Sequence, residues 1–232
     1  MYNYIKTEKK GFQYILTLAR SEKRNAFTPT MVNEINHAFQ QANADDDIKV
    51  VLIKAEGPVF CAGMDLKTFK NPELDIPNPN IENKNISLGE VFDSLHKPTI
   101  AMVEGNVIAG GFLIILGCTY VFCKSEVQFR LPELELGIFP FQVMASLLKV
   151  VPEKKALQIC LNTDYFDVNQ AIQLGIVDAV WHTDDIEKRI SSFENISIKA
   201  LSRGIKATRQ IQNITPQERF QYLKNQLEKL RE

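Results

Sequence analysis

Two stretches of this chain carry the residue types of an anion-binding turn: "VVLIKAEGPVFCAGMDLKTF" (residues 50–69) and "PTIAMVEGNVIAGGFLIIL" (residues 98–116). Each reads as a β-strand, then a turn of small residues, then a helix. The first N–H groups of a helix lack intrahelical acceptors and carry partial positive charge, so they attract anions. Two such groups converging on one oxygen would stabilise negative charge that develops only during a reaction. Gly110 and Gly111 stand side by side in the second stretch, where ordinary packing favours Ala or Leu. Fixing a glycine in a helix costs about 1 kcal/mol relative to alanine, and a side chain at these positions would block an approaching oxygen. Taken alone, a glycine pair is more often explained by close helix-to-strand packing. Two matched turns in one chain favour the oxyanion reading.

The elements that must position these turns follow from local patterns. "FQYILTLAR" (12–20) is rich in β-formers. Thr28 is placed to cap a helix with Pro29 at its first position, and Met31, Ile35, Ala38, Phe39 and Ala42 follow at helical spacing. Val50 to Lys54 reads as a short buried strand closed by Gly57-Pro58. "NPELDIPNPNIENKN" (71–85) is a long loop, the kind of segment that serves as a functional lid or stays disordered. "SLGEVFDSLHK" (87–97) reads as helix, "PTIAMVEG" (98–105) as strand, and "TYVFCKS" and "VQFRL" as two short strands. Beyond Pro140 helix dominates, with a strand-like piece at "GIVDAVWH" (175–182) and a tail helix capped by Thr215 with Pro216 just inside it. The recurrence of strand, helix, strand and turn favours an α/β layered fold with a buried sheet.

The bulk numbers narrow the class. The chain has 232 residues, 45% hydrophobic and 24% charged, with a formal net charge of −1. That composition suits a large buried core and gives no general case for nucleic acid or a membrane surface as partner. Cys61, Cys118, Cys123 and Cys160 are widely spaced among apolar residues and read as reduced core thiols. No metal-ligand spacing appears. The N-terminus lacks the apolar run of a signal peptide, and the apolar stretch from Val107 to Gly117 is too short to span a bilayer, so a cytoplasmic location is expected.

Five segments together resemble the crotonase (enoyl-CoA hydratase/isomerase) superfamily: "RSEKRNAFTPTMVNEI", "VLIKAEGPVFCAGMDLKTF", "HKPTIAMVEGNVIAGG", "FRLPELELGIFP" and "FDVNQAIQLGIVDAV". The similarity covers about residues 5–210, with the segments in the right order and separation. It implies an α/β spiral of repeated β-β-α units over residues 1–190 and a helical C-terminal region over 191–232, shortened relative to the family. It further implies acyl-CoA thioesters as substrates, with no separate cofactor, and assembly as a homotrimer or homohexamer. By motif, the two oxyanion amides belong to Met64 and Gly110. Arg24, Ala26, Ala62 and Lys67 match places that commonly touch CoA. Lys67 would act there as a point charge on phosphate, and a solvated helix lysine is the competing reading. Asp65 is expected to be structural, since an acid in a first helical turn is favourable anyway.

Hydratases of this superfamily use two glutamates, and here one is missing. The first position is Leu113; the second is Glu133. A single carboxylate beside an enolate hole can take a proton from C2 of a 3-enoyl thioester and return it at C4. The resemblance therefore implies double-bond isomerisation, with desolvation raising the pKa of Glu133. Glu133 also fits an ordinary helix N-terminal glutamate, and Glu135 is a rival base. Asp93, His37, His96 and His182 match no catalytic position. Phe139, Phe141 and Met144 sit where an acyl chain would be shaped. The alternatives are a hydratase or dehydratase, including one acting on acyl groups held by an acyl carrier protein, and a non-catalytic acyl-CoA-binding subunit.

Overall fold

A computed structural model describes residues 1–231 of the chain. An antiparallel hairpin of β1 (Ile5–Lys10) and β2 (Gln13–Leu18) leads into α1 (Pro29–Ala44). Thr28 caps α1 as its spacing predicts: its hydroxyl accepts from the Met31 N–H at 3.2 Å, a contact worth about 1 kcal/mol. Met31, Ile35, Ala38, Phe39 and Ala42 form the buried face of that helix. Strand β1 has no counterpart in the sequence reading, because "IKTEKK" is polar at nearly every position and lies at the sheet edge.

From there one pattern repeats. A strand enters a first sheet, a short strand enters a second sheet, and a helix follows. The first turn is β3 (Val50–Ala55), β4 (Val59–Cys61) and α2 (Leu66–Lys70). After α3 (Leu88–Ser94), the second turn is β5 (Thr99–Val103), β6 (Asn106–Ile108) and α4 (Phe112–Gly117). The third is β7 (Tyr120–Cys123), β8 (Gln128–Arg130) and α5 (Phe141–Leu147). Helix α6 (Glu153–Leu161), β9 (Phe166–Asp167), α7 (Val168–Gln173) and β10 (Ala179–Val180) complete both sheets. The strand order is β1-β2-β3-β5-β7-β10 in one sheet and β4-β6-β8-β9 in the other, parallel throughout except for β1 with β2 and β8 with β9. This is the β-β-α spiral. The sequence reading took each glycine segment as a single strand before its helix; the structure divides it between two sheets.

Parallel strands covered on both faces need apolar residues on both. Leu16, Leu18, Val51, Ile53, Ala101 and Val103 face the main core, while Val50, Leu52, Ile100 and Phe122 pack under Ile186 and Ile190 of α8 (Thr183–Ser191). Helices α9 (Ile198–Gln210) and α10 (Arg219–Glu228) form the helical C-terminal region. The expected cap at Thr215 is not the start of α10. The Thr215 hydroxyl donates instead to the Glu218 carboxylate, and the helix begins one turn later at Arg219. The strand-like "GIVDAVWH" contracts to the two residues of β10, since Gly175 adopts a positive φ and Ile176 and Val177 serve the core.

The loop 71–85 is strapped to α1. Asp75 accepts from the Thr30 N–H at 2.8 Å, and the Asn78 amide donates to Glu34 at 2.9 Å. Asn33 bonds both the Asn83 side chain and the Lys84 backbone. Glu34, fully buried, also accepts from the backbone of Asn3 and Tyr4, so it ties the N-terminus to the same helix face.

Candidate active site

The two glycine turns meet. Phe27 donates to the Gly63 carbonyl at 2.8 Å and accepts from the Asp65 N–H at 2.9 Å, forming an isolated parallel bridge to Met64. In that pattern the Met64 N–H points away from Phe27. Gly110 is the second residue of the 3-10 turn Ala109–Gly111 that opens α4, where N–H groups have no intrahelical acceptor. A Cβ placed on Gly63 would stand 2.9 Å from the Gly110 nitrogen, and one on Gly110 would stand 2.9 Å from the Phe27 ring. Glycine at Gly111 serves packing, since a Cβ there would lie 2.6 Å from the Cys61 carbonyl oxygen. Close packing therefore requires glycine at both positions of the pair.

Met64 and Gly110 line a cleft of about 490 Å³ together with Arg24, Ala62, Leu113 and Glu133. Three further sides come from Phe27, from Ile138 and Phe139, and from Phe141, Gln142 and Val143 in the first turn of α5. The lining is largely apolar, and among the described residues Glu133 is its only carboxylate. Pro132 sets Glu133 at the start of the 3-10 turn Glu133–Leu136, and the residue is only 8% exposed. Its Oε2 is buried with no hydrogen-bond partner among the described residues. Desolvation raises its pKa above the ordinary glutamate range, outweighing a hydrogen bond to backbone that lowers it. Glu135 is committed elsewhere: it is exposed and accepts two 2.8 Å hydrogen bonds from Arg130.

The turn carrying Met64 is braced from below. Asp65 caps α2, accepting from the N–H groups of Lys67 and Thr68, and its other oxygen meets Arg20 at 2.8 Å. Both side chains of this pair are nearly buried, at 8% and 14% exposure. Desolvation alone would raise the Asp65 pKa; Arg20 and the two cap bonds outweigh it and hold the carboxyl below its usual range. Non-glycine residues with positive φ, Arg24, Asn25 and Ala109, gather at the cleft. Asn25 holds its conformation through a fully buried side chain that bonds the carbonyls of Glu56 and Val59 and the Arg20 N–H.

Of the residues singled out from the sequence, Arg24, Ala62, Met64, Gly110 and Glu133 come together in one cleft. Ala26 and Lys67 are not among its lining residues. The Ala26 carbonyl accepts from Arg20 at 2.8 Å, and Lys67 lies exposed on α2. Phe139 and Phe141 line the cleft and Met144 does not; it packs against the core from the next turn of α5. Asp93 pairs with Lys149 and Arg209 away from the site, and His37 bonds the Tyr2 hydroxyl at 2.8 Å. Burial, with Lys206 and Arg209 nearby, pushes His96 down to about 4. Phe27 and Gln142 were missed. Phe27 lies inside one of the quoted segments, but only the bridge to Met64 reveals its part, and nothing in the sequence marks Gln142.

Comparison with known proteins identifies the family and the fold. Residues 8–228 match the family model described as "Enoyl-CoA hydratase/isomerase". A human protein, "Peroxisomal bifunctional enzyme", is 28% identical over 199 residues, covering 84% of this chain. The chain spans only 26% of that relative's length. "Probable enoyl-CoA hydratase, mitochondrial" from Dictyostelium discoideum is 25% identical, covering 87% of this chain and 75% of its own. Among solved structures, an enoyl-CoA hydratase subunit from Geobacillus kaustophilus shares the fold with a TM-score of 0.84 at 24% identity, over 99% of this chain and 90% of that one.

Proposed function

Because the chain belongs to the enoyl-CoA hydratase/isomerase family, we propose that it moves the double bond of an enoyl-CoA thioester into conjugation, using Glu133 as its single acid–base group. The thioester oxygen is held by the Met64 and Gly110 amides. The Glu133 carboxylate takes a proton from C2 of a 3-enoyl chain. The electron pair runs into the thioester, giving a dienolate whose charge rests on the oxygen in the amide pair. Glu133, now protonated, returns the proton at C4, and the double bond lies between C2 and C3. No atoms are gained or lost. A carboxyl group whose pKa is raised by its apolar surroundings suits both halves of this transfer.

One observation carries the reading: Glu133 offers a buried, unpartnered oxygen in the same cleft as Met64 and Gly110, and the cleft's lining holds no second carboxylate. Hydration by two glutamates would need another acid, and Leu113 stands at the place where the family resemblance puts it. We propose further that the protein acts as a homotrimer or homohexamer. Leu157 and Leu161, one turn apart on α6, are exposed and available to a neighbouring copy. The test is product identity. The purified protein is given 3-enoyl-CoA and 2-enoyl-CoA esters in turn, and products are identified by mass and NMR. A 2-enoyl product from the 3-enoyl ester supports isomerisation. A 3-hydroxyacyl product from the 2-enoyl ester makes the enzyme a hydratase. If only carrier-protein esters turn over, the substrate class is wrong.

A further inference from the structure

The cleft has a neighbour on the far side of Met64. A second cavity of about 390 Å³ lies beyond it, and the two share Phe27, Met64 and Gln142 as walls. The two lobes differ in chemistry. In the first, Arg24, Glu133 and Gln142 are the polar side chains among an apolar majority. The second sets a polar wall of Thr28, Asn83, Lys84, Asn85, Ser87 and Gln142 against an apolar half that includes Val32, Phe69, Ile86 and Leu88, and among the described residues no acidic side chain lines it.

Its polar wall is fixed in place. Asn33 of α1 donates to the Lys84 carbonyl and accepts from the Lys84 N–H, so that stretch of loop cannot swing freely. The same Asn33 amide donates to the Asn83 oxygen at 2.8 Å, which leaves the Asn83 NH2 group to donate elsewhere. Lys84 has a partner in Glu82 at 3.2 Å, but that pair is solvent-exposed. Exposed pairs of this kind hold weakly, so the ammonium can be recruited by a ligand. The apolar half can receive methylenes, but a methyl end pressed on the polar wall would strip water from an ammonium and carboxamides without replacing those hydrogen bonds. An anionic tail would satisfy them.

Resting on the reading that Met64 holds the thioester oxygen, we propose that the second lobe receives the far end of the acyl group and selects a chain that ends in a carboxylate. Lys84 supplies the charge, Asn83 and Asn85 supply N–H donors, and Gln142 belongs to the wall that both lobes share. The enzyme's preferred substrates are then monothioesters of dicarboxylic acids rather than simple fatty acyl chains.

The experiment measures binding as well as turnover. Dissociation constants are taken by calorimetry for two saturated acyl-CoA esters of equal length, one methyl-ended and one carboxylate-ended, with the native chain, Lys84→Met and Asn85→Leu. Charge-assisted hydrogen bonds in a partly open site predict roughly tenfold tighter binding of the carboxylate-ended ester. Each substitution should erase most of that ratio. A ratio near one, a preference for the methyl end, or equal losses for both esters in the variants overturns the inference. Isomerase activity, read separately with 3-enoyl esters, tests the underlying reading. A strong carboxylate preference in binding without turnover would sink the isomerase proposal and leave the lobe assignment standing. Failure of both esters to bind would overturn the two together.

Discussion

Gly63 and Gly110 belong to different turns of the spiral, yet they meet backbone to backbone: a Cβ on Gly63 would stand 2.9 Å from the Gly110 nitrogen and 2.7 Å from the Ala109 Cβ. Gly63 also has a φ of +86°, in the left-handed region that L side chains avoid. Gly63→Ala is therefore expected to force the two amides apart while leaving the core packed. Losing one oxyanion donor typically costs about 10²-fold or more in kcat. Steady-state kinetics beside a calorimetric affinity for a CoA ester would show a fall in kcat larger than any loss of binding.

Glu133 links catalysis to stability with opposite signs. Its folded-state pKa is raised, so its contribution to stability is full below the unfolded value of about 4.3 and is lost as pH rises through the folded value. At neutral pH the buried carboxylate costs stability. Glu133→Gln should therefore raise the thermal midpoint at pH 7, and the gain should vanish near pH 4. In the native enzyme kcat/KM should rise with pH through an apparent pKa above the ordinary glutamate value. Unchanged midpoints at both pH values would contradict the burial argument.

The Arg20–Asp65 pair predicts a graded series. Asp65→Ala removes both the α2 cap and the partner of a nearly buried guanidinium, and breaking such a pair costs about 3 kcal/mol or more. Because the same residue follows Met64, kcat should fall with stability. Asp65→Asn keeps a capping oxygen and should fall between. Since Asp65 is held below its usual pKa, its stabilisation is present above about pH 4 and lost as pH falls through the folded value. The Asp65 variants should accordingly lose the acid limb of the native stability curve. Chemical denaturation across pH checks this.

Leu113 offers a gain-of-function test. It is 3% exposed and lines the same cleft as Glu133. Leu113→Glu should lower the thermal midpoint, because it buries an acid, and should bring a 3-hydroxyacyl product to measurable levels with 2-enoyl-CoA. If the variant stays folded and makes no such product, the missing glutamate is not what separates this site from hydration.

The parts that were legible in the sequence share a cause: their signal is local. Thr28, Pro29 and the apolar spacing of α1 declare that helix within one stretch, and the glycine turns carry their small residues side by side. The second sheet was legible only in part: β8 lies in the strand read at "VQFRL", while β4 and β6, three residues each, are too short to stand apart from the glycine turns. Thr215 shows the reverse failure, a cap signature whose hydroxyl found Glu218 before a helix could start. In the site, motif resemblance led to Met64, Gly110, Glu133, Arg24 and Ala62, which the fold gathers from separate turns. Phe27 and Gln142 enter only through tertiary contacts. Ala26 does not line this cleft, and its carbonyl accepts from Arg20, a contact no spacing rule anticipates.

The central claim is that one carboxylate, Glu133, carries the proton between C2 and C4. The most direct measurement is turnover of a 3-enoyl-CoA ester in deuterated water, with product deuterium located by NMR, for the native enzyme and Glu133→Gln. The account predicts a shifted double bond in the native reaction, with less than one full deuterium at C4 because the single carboxyl returns part of the proton it took from C2. It predicts loss of both isomerisation and exchange in Glu133→Gln while the CoA ester still binds. Isomerisation that persists in Glu133→Gln, or a hydrated product from the native enzyme, would contradict it.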